Sequence, residues 1–353
     1  MRIVIVSDAW EPQVNGVVTT LKRTCAELAA LGHSADVIGP NRFRTIPCPG
    51  YPSIPLALFP GRHLTRLLDE AAPDAVHIAT EGPLGLSAHA YCRERGLKFT
   101  TAYHTQFPEY IAMRSPIPAR WIYPAVRWFH ARAERTMVAT ASQQALLEQH
   151  GLRDLVRWSR GVDTALFRPR DKQFLTLPRP VAMYVGRVAV EKNLDAFLSL
   201  DLPGSKVVVG DGPALPALRE RFPLTRFVGF KHGEELAQHL AAADVFVFPS
   251  RTDTFGLVLL EAMARGVPVA AYPVTGPKDV VVPGVTGVLH EDLGRAALEA
   301  VRLDPAACVA HAATFSWRSA TLQFLNNLAP LREPAAHSAA SSSADEAVLS
   351  KAP

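Results

Sequence analysis

The chain carries two successive runs of short apolar strands alternating with helices, split by a proline-rich joint, and that rhythm leaves few folds open. In the first run Arg2 to Val6, Ser34 to Ile38, Ala75 to Ile78, Lys98 to Ala102 and Met137 to Ala139 look like buried strands. Helices are predicted from about Val17 to Leu31 and Leu84 to Arg95, the first closed by Gly32. Pro169 and the stretch Leu177-Pro178-Arg179-Pro180 break the pattern. It restarts with strands Val181 to Val185, Lys206 to Val209, Arg226 to Val228, Asp244 to Phe248 and Val267 to Ala271. Helices are predicted between them near Leu194 to Leu200, up to Arg221, from Glu234 to Ala242 and from about Phe255 to Arg265. Such alternation implies parallel sheets covered by helices on both faces. The expectation is an α/β chain of two similar domains, 1–171 and 172–330, facing a cleft, with the final helix able to pack back on the first. Ligands of open parallel sheets sit outside the carboxyl ends of the strands, so functional residues are sought in the loops that follow strands.

Composition excludes several classes. The 353 residues are 48% hydrophobic and 20% charged, enough to build two cores and unlike a disordered or fibrous chain. Apolar runs such as Val245 to Phe248 fall far short of the ~20 residues that span a bilayer. The first apolar run, Ile3 to Val6, ends at Ser7-Asp8 and reads as a strand, not a secretory leader. Cys25, Cys48, Cys92 and Cys308 are scattered, which argues against a disulfide framework or zinc site and fits a reducing cytoplasm. Residues 331–353 are Ala/Ser-rich, contain no aromatic and are expected to be disordered. The net charge of +4 is too small for a dedicated nucleic-acid binder, so no nucleic-acid partner is expected.

The most informative stretch is Pro249-Ser250-Arg251-Thr252-Asp253-Thr254-Phe255-Gly256-Leu257, running into Glu261. An apolar strand delivers a polar loop, and the loop opens a helix whose first N–H groups carry partial positive charge. That suits an anionic or polyhydroxyl ligand. Asp253 precedes the helix and Glu261 is placed about two turns inside, so two separated carboxylates could accept from hydroxyls of a sugar and a ribose. Alternatively, Asp253 caps the helix and Glu261 lies on a solvated face. Arg187 and Lys192 follow a strand and would stabilise a departing diphosphate, Arg bidentately and Lys as a point charge. A surface pair neutralised by Glu191 is the alternative. Gly16 opens the first helix, where the lack of Cβ would let backbone N–H approach a phosphate, or is a plain loop glycine. His104 follows a strand and is either a structural histidine or a group facing a sugar hydroxyl. Gly210-Asp211-Gly212 starts a dinucleotide fingerprint, but position 215 is Leu215, which weakens a dehydrogenase reading. No Asp-x-Asp and no His/Cys cluster offers a metal site.

This ensemble resembles the GT4 retaining glycosyltransferases, which have the GT-B fold of two Rossmann-like domains. The likeness lies in Asp253-x7-Glu261, Gly186-Arg187 with Glu191-Lys192-Asn193, Val209-Gly210-Asp211-Gly212-Pro213, Ala243 to Ser250, and Gly161-Val162-Asp163 with Phe167. It spans roughly residues 1–328. Two positions depart: the first acidic residue of the motif is usually Glu and here is Asp253, and Asn15-Gly16 stands where two glycines are common. Arg251 to Gly256 and Thr275-Gly276-Pro277-Lys278-Asp279 resemble a subgroup of lipid-directed mannosyl-, glucosyl- or glucuronosyltransferases. The resemblance implies Arg187 and Lys192 on the diphosphate and Glu261 on the ribose. It implies Asp253 and the Thr254, Phe255, Gly256 and Leu257 segment on the sugar, His104 opposite it, and Gly16 near a phosphate. It further implies a GDP- or UDP-linked sugar as co-substrate, no cofactor or metal, and front-face displacement in which a phosphate oxygen takes the acceptor's proton.

Charge placement bears on the acceptor. Residues 1–171 hold 20 Lys/Arg against 15 Asp/Glu, and the remainder 17 against 18. The excess concentrates in residues 42–66, with Arg42, Arg44, Arg62 and Arg66, and in 114–135, with Arg114, Arg120, Arg127, Arg132 and Arg135. Trp121, Tyr123, Trp128 and Phe129 interleave the second stretch, as suits docking on an anionic membrane surface. A helix packed on its own domain with a solvated basic face is the alternative. The expectation is therefore a cytoplasmic enzyme at the inner face of the cell membrane, moving a hexose to a lipid hydroxyl. An epimerase on the same fold, a transferase for a soluble or polysaccharide acceptor, and a non-catalytic sugar-nucleotide binder are the competing readings.

Overall fold

The computed structural model describes residues 1–48 and 51–331. The first part runs β1 (Arg2–Val6), α1 (Gly16–Ala30), β2 (Ser34–Ile38), β3 (Thr45–Cys48), β4 (Tyr51–Ala57), α2 (Gly61–Ala71), β5 (Ala75–Ile78) and α3 (Pro83–Glu94). It continues through β6 (Thr100–Tyr103), α4 (Phe107–Ala112), α5 (Tyr123–His130), β7 (Arg135–Val138), α6 (Ala141–Gln149) and β8 (Leu155–Arg157). The second part runs β9 (Val181–Val185), α7 (Leu194–Leu198), β10 (Ser205–Val209), α8 (Leu215–Arg221), β11 (Arg226–Gly229), α9 (Gly233–Ala241) and β12 (Val245–Phe248). It closes with α10 (Leu257–Ala264), β13 (Val269–Ala271), α11 (Pro277–Val280), β14 (Gly287–Leu289), α12 (Leu293–Ala300), α13 (Pro305–Ala312) and α14 (Trp317–Asn327).

Each part builds a parallel sheet, ordered β2-β1-β5-β6-β7-β8 and β11-β10-β9-β12-β13-β14. Both reverse their winding at the first strand: β1 lies between β2 and β5, and β9 between β10 and β12. At such a reversal the chain leaves the two neighbouring strands toward opposite faces, and a crevice opens outside their carboxyl ends. The central strand β9 is buried along its whole length, because helices cover both faces. Alternate residues feed different cores: Val181, Met183 and Val185 pack in one cluster, Ala182 and Tyr184 in another.

The last helix crosses back. Phe324 and Leu328 join Leu21, Leu28 and Trp158 in a core on the first sheet. Leu331, expected in the disordered tail, instead donates its N–H to the Asp74 carbonyl at 2.9 Å. The rest of that tail lies outside the described residues. Two three-residue strands, β8 and β14, were too short to show alternation. The β3–β4 hairpin was hidden by its prolines, Pro47 and Pro55, which a free two-stranded edge tolerates.

The two basic, aromatic segments cover the same face of the first sheet. Phe43, Ala57 and Leu64 from the first pack in one cluster with Phe129 and Ala133 from the second. Exposed apolar side chains stand out from these elements, Phe59 at 95% and Trp121 at 66%, with Phe107, Ile111, Ile117 and Trp128 nearby in sequence. Arg120, Arg127 and Arg132 are exposed there. Several predicted members of the basic surface are engaged otherwise: Arg42 pairs with Asp36, Arg66 with Glu70, Arg135 donates to the Asn326 carbonyl, and Arg114 turns into the cleft. Residues 49 and 50 of the first segment lie outside the described residues.

Candidate active site

Two loops leave the second sheet at its reversal, one after β9 and one after β12. In the first, Asn193 takes a left-handed backbone (φ 54°, ψ 39°), which Asn tolerates better than most side chains. Its side-chain amide donates to the Pro249 carbonyl at 3.1 Å, tying the two loops together. The turn before it lifts Lys192 onto the second loop. Lys192 Nζ lies 2.7 Å from Asp253 Oδ2, with the two side chains only 19% and 18% exposed. Burial alone would draw the Lys192 pKa down. The Asp253 carboxylate, helped by the Tyr110 and Tyr184 hydroxyls, outweighs burial, so the shift is upward and the amine stays charged.

Arg187 has its carbonyl held by the Tyr184 hydroxyl at 2.9 Å. Burial lowers the pKa of its guanidinium, Glu191 opposes that, and Arg114 adds to it. Arg114 comes from the first domain and donates to Glu191 Oε2 at 2.5 Å. Three cations, Arg114, Arg187 and Lys192, thus gather around two carboxylates, Glu191 and Asp253, and leave a local positive excess. Behind them, Gly210 (φ +146°) is required by packing: a Cβ there would lie 1.9 Å from the Gly186 carbonyl oxygen. The predicted glycine turn therefore draws the ends of β9 and β10 together, backbone against backbone.

The helix after β12 starts at Leu257, two residues later than expected, because Gly256 turns the chain with φ +82° and ψ 68°. Gly256 is the cap residue and no side chain caps the helix, so the capping alternative for Asp253 is wrong: its carboxylate goes to Lys192. Glu261 is consequently just over one turn inside α10, not two. Among the described residues no hydrogen bond or ion pair meets its carboxylate. Burial pushes its pKa up to about 7, against the pull of Arg23 and Arg265. Phe255 is 5% exposed and packs in the second domain's core, so only its backbone is available to a ligand. Gly256→Ala is expected to lower stability by about 1–3 kcal/mol, from the left-handed backbone and a Cβ 2.9 Å from Leu259 Cδ1. Urea unfolding checks this; a loss below about 0.5 kcal/mol, the ordinary surface range, would contradict it.

The first domain meets this loop directly. Thr254 Oγ1 donates to the His104 carbonyl at 2.8 Å, and Thr140 Oγ1 donates to the Thr254 carbonyl at 3.2 Å. Gln106 Nε2 donates to the Asp253 carbonyl at 3.2 Å, and the Tyr110 hydroxyl reaches the Thr252 carbonyl at 3.4 Å. Ser142 N–H donates to Asp279 Oδ1 at 2.9 Å, and the Ser142 hydroxyl bonds the other oxygen, so Asp279 caps α6 from the opposite domain. Gly16 faces the start of α10: a Cβ there would lie 3.7 Å from Leu257 Cδ1, ordinary contact that packing would allow.

Of the sequence-predicted residues, the structure bonds Lys192 to Asp253 and Thr254 to His104, sets Gly16 beside Leu257, and leaves Glu261 bonded to none of them. Gln106, Tyr110, Arg114, Thr140, Arg160 and Asp279 were missed. The only available signals were the position of Gln106 to Tyr110 just after a strand and the place of Asp279 in a motif. Among the described residues no group of three or more His, Cys, Asp or Glu side chains converges as a metal ion needs.

The chain matches the model "Glycosyltransferase Family 4" over residues 14–166 and "Glycosyl transferases group 1" over residues 179–303. It is 32% identical over 317 residues to a GDP-mannose-dependent alpha-mannosyltransferase of Mycobacterium tuberculosis, covering 82% of this chain and 83% of that protein. It is 28% identical to an alpha-monoglucosyldiacylglycerol synthase of Streptococcus pneumoniae, covering 86% and 79%. A solved structure of Anabaena Alr3699/HepE in complex with UDP and glucose superposes with a TM-score of 0.70 at 17% identity, covering 92% and 98%.

Proposed function

The chain belongs to the family 4 glycosyltransferases, with the two-domain GT-B fold, and on that footing we propose that this hexosyltransferase moves a sugar from a nucleoside diphosphate to a hydroxyl of a membrane lipid, with retention of configuration. The observation that carries the reading is the charged group at the reversal of the second sheet: Arg187 and Lys192 on one loop, Asp253 on the next, met across the cleft by Arg114 and His104.

A diphosphate leaving the sugar gains negative charge as the bond breaks. Fixed cations in a partly buried site stabilise that charge with little reorganisation, and here they take the role a metal ion would otherwise play. An entering diphosphate competes with Asp253 for Lys192, which turns the Asp253 carboxylate toward the sugar hydroxyls. Glu261, without a partner among the described residues, accepts from the ribose. The GDP-mannose and diacylglycerol in the relatives' names, and the UDP and glucose held by the Anabaena protein, fit this assignment of donor and acceptor classes.

A donor screen tests it: GDP-mannose, UDP-glucose, UDP-galactose and UDP-glucuronate, each with membrane lipid extract, and mass spectrometry of the product. One donor is expected to give a lipid heavier by one glycosyl residue, whose anomeric configuration, read by proton NMR, matches the donor's. An epimerised donor without acceptor product, or glycosylation confined to a soluble acceptor, would overturn it.

For the membrane surface the support is the shared face of residues 42–66 and 114–135, with exposed Phe59 on the first and, on the second, exposed Trp121 and Trp128 adjoining Arg120 and Arg127 in sequence. No helix of the described residues is long and apolar enough to cross a bilayer. We propose that this surface docks peripherally, at the inner face of the cell membrane. Each basic residue near an anionic surface contributes about 1 kcal/mol, so Arg120→Gln with Arg127→Gln is expected to weaken sedimentation with anionic liposomes roughly thirtyfold. Binding indifferent to both salt and the substitutions would remove this part.

A further inference from the structure

Arg160 is a buried guanidinium, 4% exposed, with no carboxylate partner among the described residues. Its Nη1 donates to the backbone carbonyls of Trp158, at 2.5 Å, and Ser159, at 2.9 Å. Its central carbon lies 4.5 Å from the centre of the Trp158 ring. Two carbonyls and an indole face therefore fix the fork, and its other arm is aimed. That arm, Nη2, lies 3.1 Å from His104 Nδ1.

An arginine side chain has only donors. His104 Nδ1 must then accept, which means that it carries a lone pair and that the neutral ring holds its proton on Nε2. The ring is neutral: burial above all, then the charge of Arg160, hold its pKa well below the ordinary histidine range. The imidazole edge also packs on Trp158, ring centres 5.4 Å apart, and the His104 carbonyl is tied to Thr254 across the cleft. Its Nε2 is buried and meets no partner among the described residues. A buried N–H left unmatched is unfavourable, and a ligand oxygen would satisfy it.

We infer that Arg160 is a positioning residue that locks His104 in the Nε2–H tautomer, so that His104 gives a hydrogen bond to an oxygen of the bound sugar and is unable to take a proton from the incoming hydroxyl. The destination of that hydrogen bond rests on the cleft being the donor site; the tautomer does not. The proton released by the acceptor must then pass to another group, since one ring nitrogen already holds a proton and the other is occupied by Arg160.

The test is nitrogen NMR of the full-length chain carrying labelled histidine, with no substrate added and with His104→Gln to identify the signals. Wild type is expected to show a protonated Nε2 and an unprotonated Nδ1, unchanged across neutral pH. Arg160→Met is expected to bring in the other tautomer or let the ring titrate at higher pH, and Arg160→Lys, which also has only donors, to restore the wild-type pattern. In transfer assays Arg160→Met should lower kcat roughly ten- to hundredfold, with Arg160→Lys recovering part of it. A proton on Nδ1 in wild type, or an Arg160→Met ring with both tautomer and titration unaltered, would overturn the inference. Should Arg160→Met fail to fold, the wild-type and Arg160→Lys spectra still decide. A wild-type protein with the expected tautomer that transfers no sugar from any donor would refute the proposed function and leave the tautomer assignment standing.

Discussion

Lys192→Ala is expected to reduce hexose transfer by at least about 10²–10³-fold in kcat, the range seen when one donor to a developing anion is removed. The ammonium is mostly buried and held charged by Asp253, so its field on a leaving diphosphate is weakly screened. The single substitution has a confounding effect. Removing one partner of a buried ion pair leaves the other charge uncompensated and costs about 3–5 kcal/mol of stability. Lys192→Met combined with Asp253→Asn separates the two effects. The double variant is expected to unfold in urea near the wild-type midpoint and to remain inactive. Recovery of turnover together with stability would mean that neither the Lys192 ammonium nor the Asp253 carboxylate is needed for transfer.

Glu261 gives the second large effect, and it is a pH dependence. Its carboxyl, pushed up to about 7 by burial, is half protonated at neutral pH. Ribose hydroxyls donate best to the ionised form, so donor binding is expected to weaken as pH falls below 7, approaching tenfold per unit, and to level off above it. The ligand must be the nucleotide sugar, whose diphosphate is esterified at both ends and does not itself titrate near neutrality. Glu261→Gln should bind weakly with a flat profile in calorimetry. The same shift affects stability with a definite sign. A carboxyl whose folded pKa lies above the ordinary 4.5 favours the fold fully below that value, and the contribution is lost as pH rises through 7. Glu261→Gln is therefore expected to be more stable than wild type at pH 8, by up to about 3 kcal/mol, and no different near pH 4.5. An equal or greater loss of stability at pH 8 would show that the carboxylate has a protein partner.

What could be learned from sequence divides along physical lines. Central strands such as Val181–Val185 and Val245–Phe248 are buried on both faces, so their continuous apolar character showed without a structure. The cations and acids that follow strands could be found for a related reason, since a polar residue at the end of a buried strand has little structural role there. The start of α10 was misjudged because Leu257 continues the apolar pattern from Phe255, whereas Gly256 adopts a backbone that no periodicity reports. The largest omissions, Arg114 on Glu191, Asp279 on Ser142 and Arg160 on His104, share one cause. Their partners are 77, 137 and 56 residues distant, and contacts at that separation leave no local pattern. The basic surface was half legible: Arg120 and Arg127 are exposed, but Arg114 and Arg42 had partners that charge counting could not foresee.

The most direct measurement is a crystal structure of the protein with an intact nucleoside-diphosphate sugar. The diphosphate oxygens are expected within hydrogen-bond distance of both Arg187 and Lys192, with the Lys192–Asp253 contact opened and a sugar oxygen on His104 Nε2. A diphosphate bound outside the cleft, with Lys192 still closed on Asp253, would contradict the assignment of these residues to catalysis.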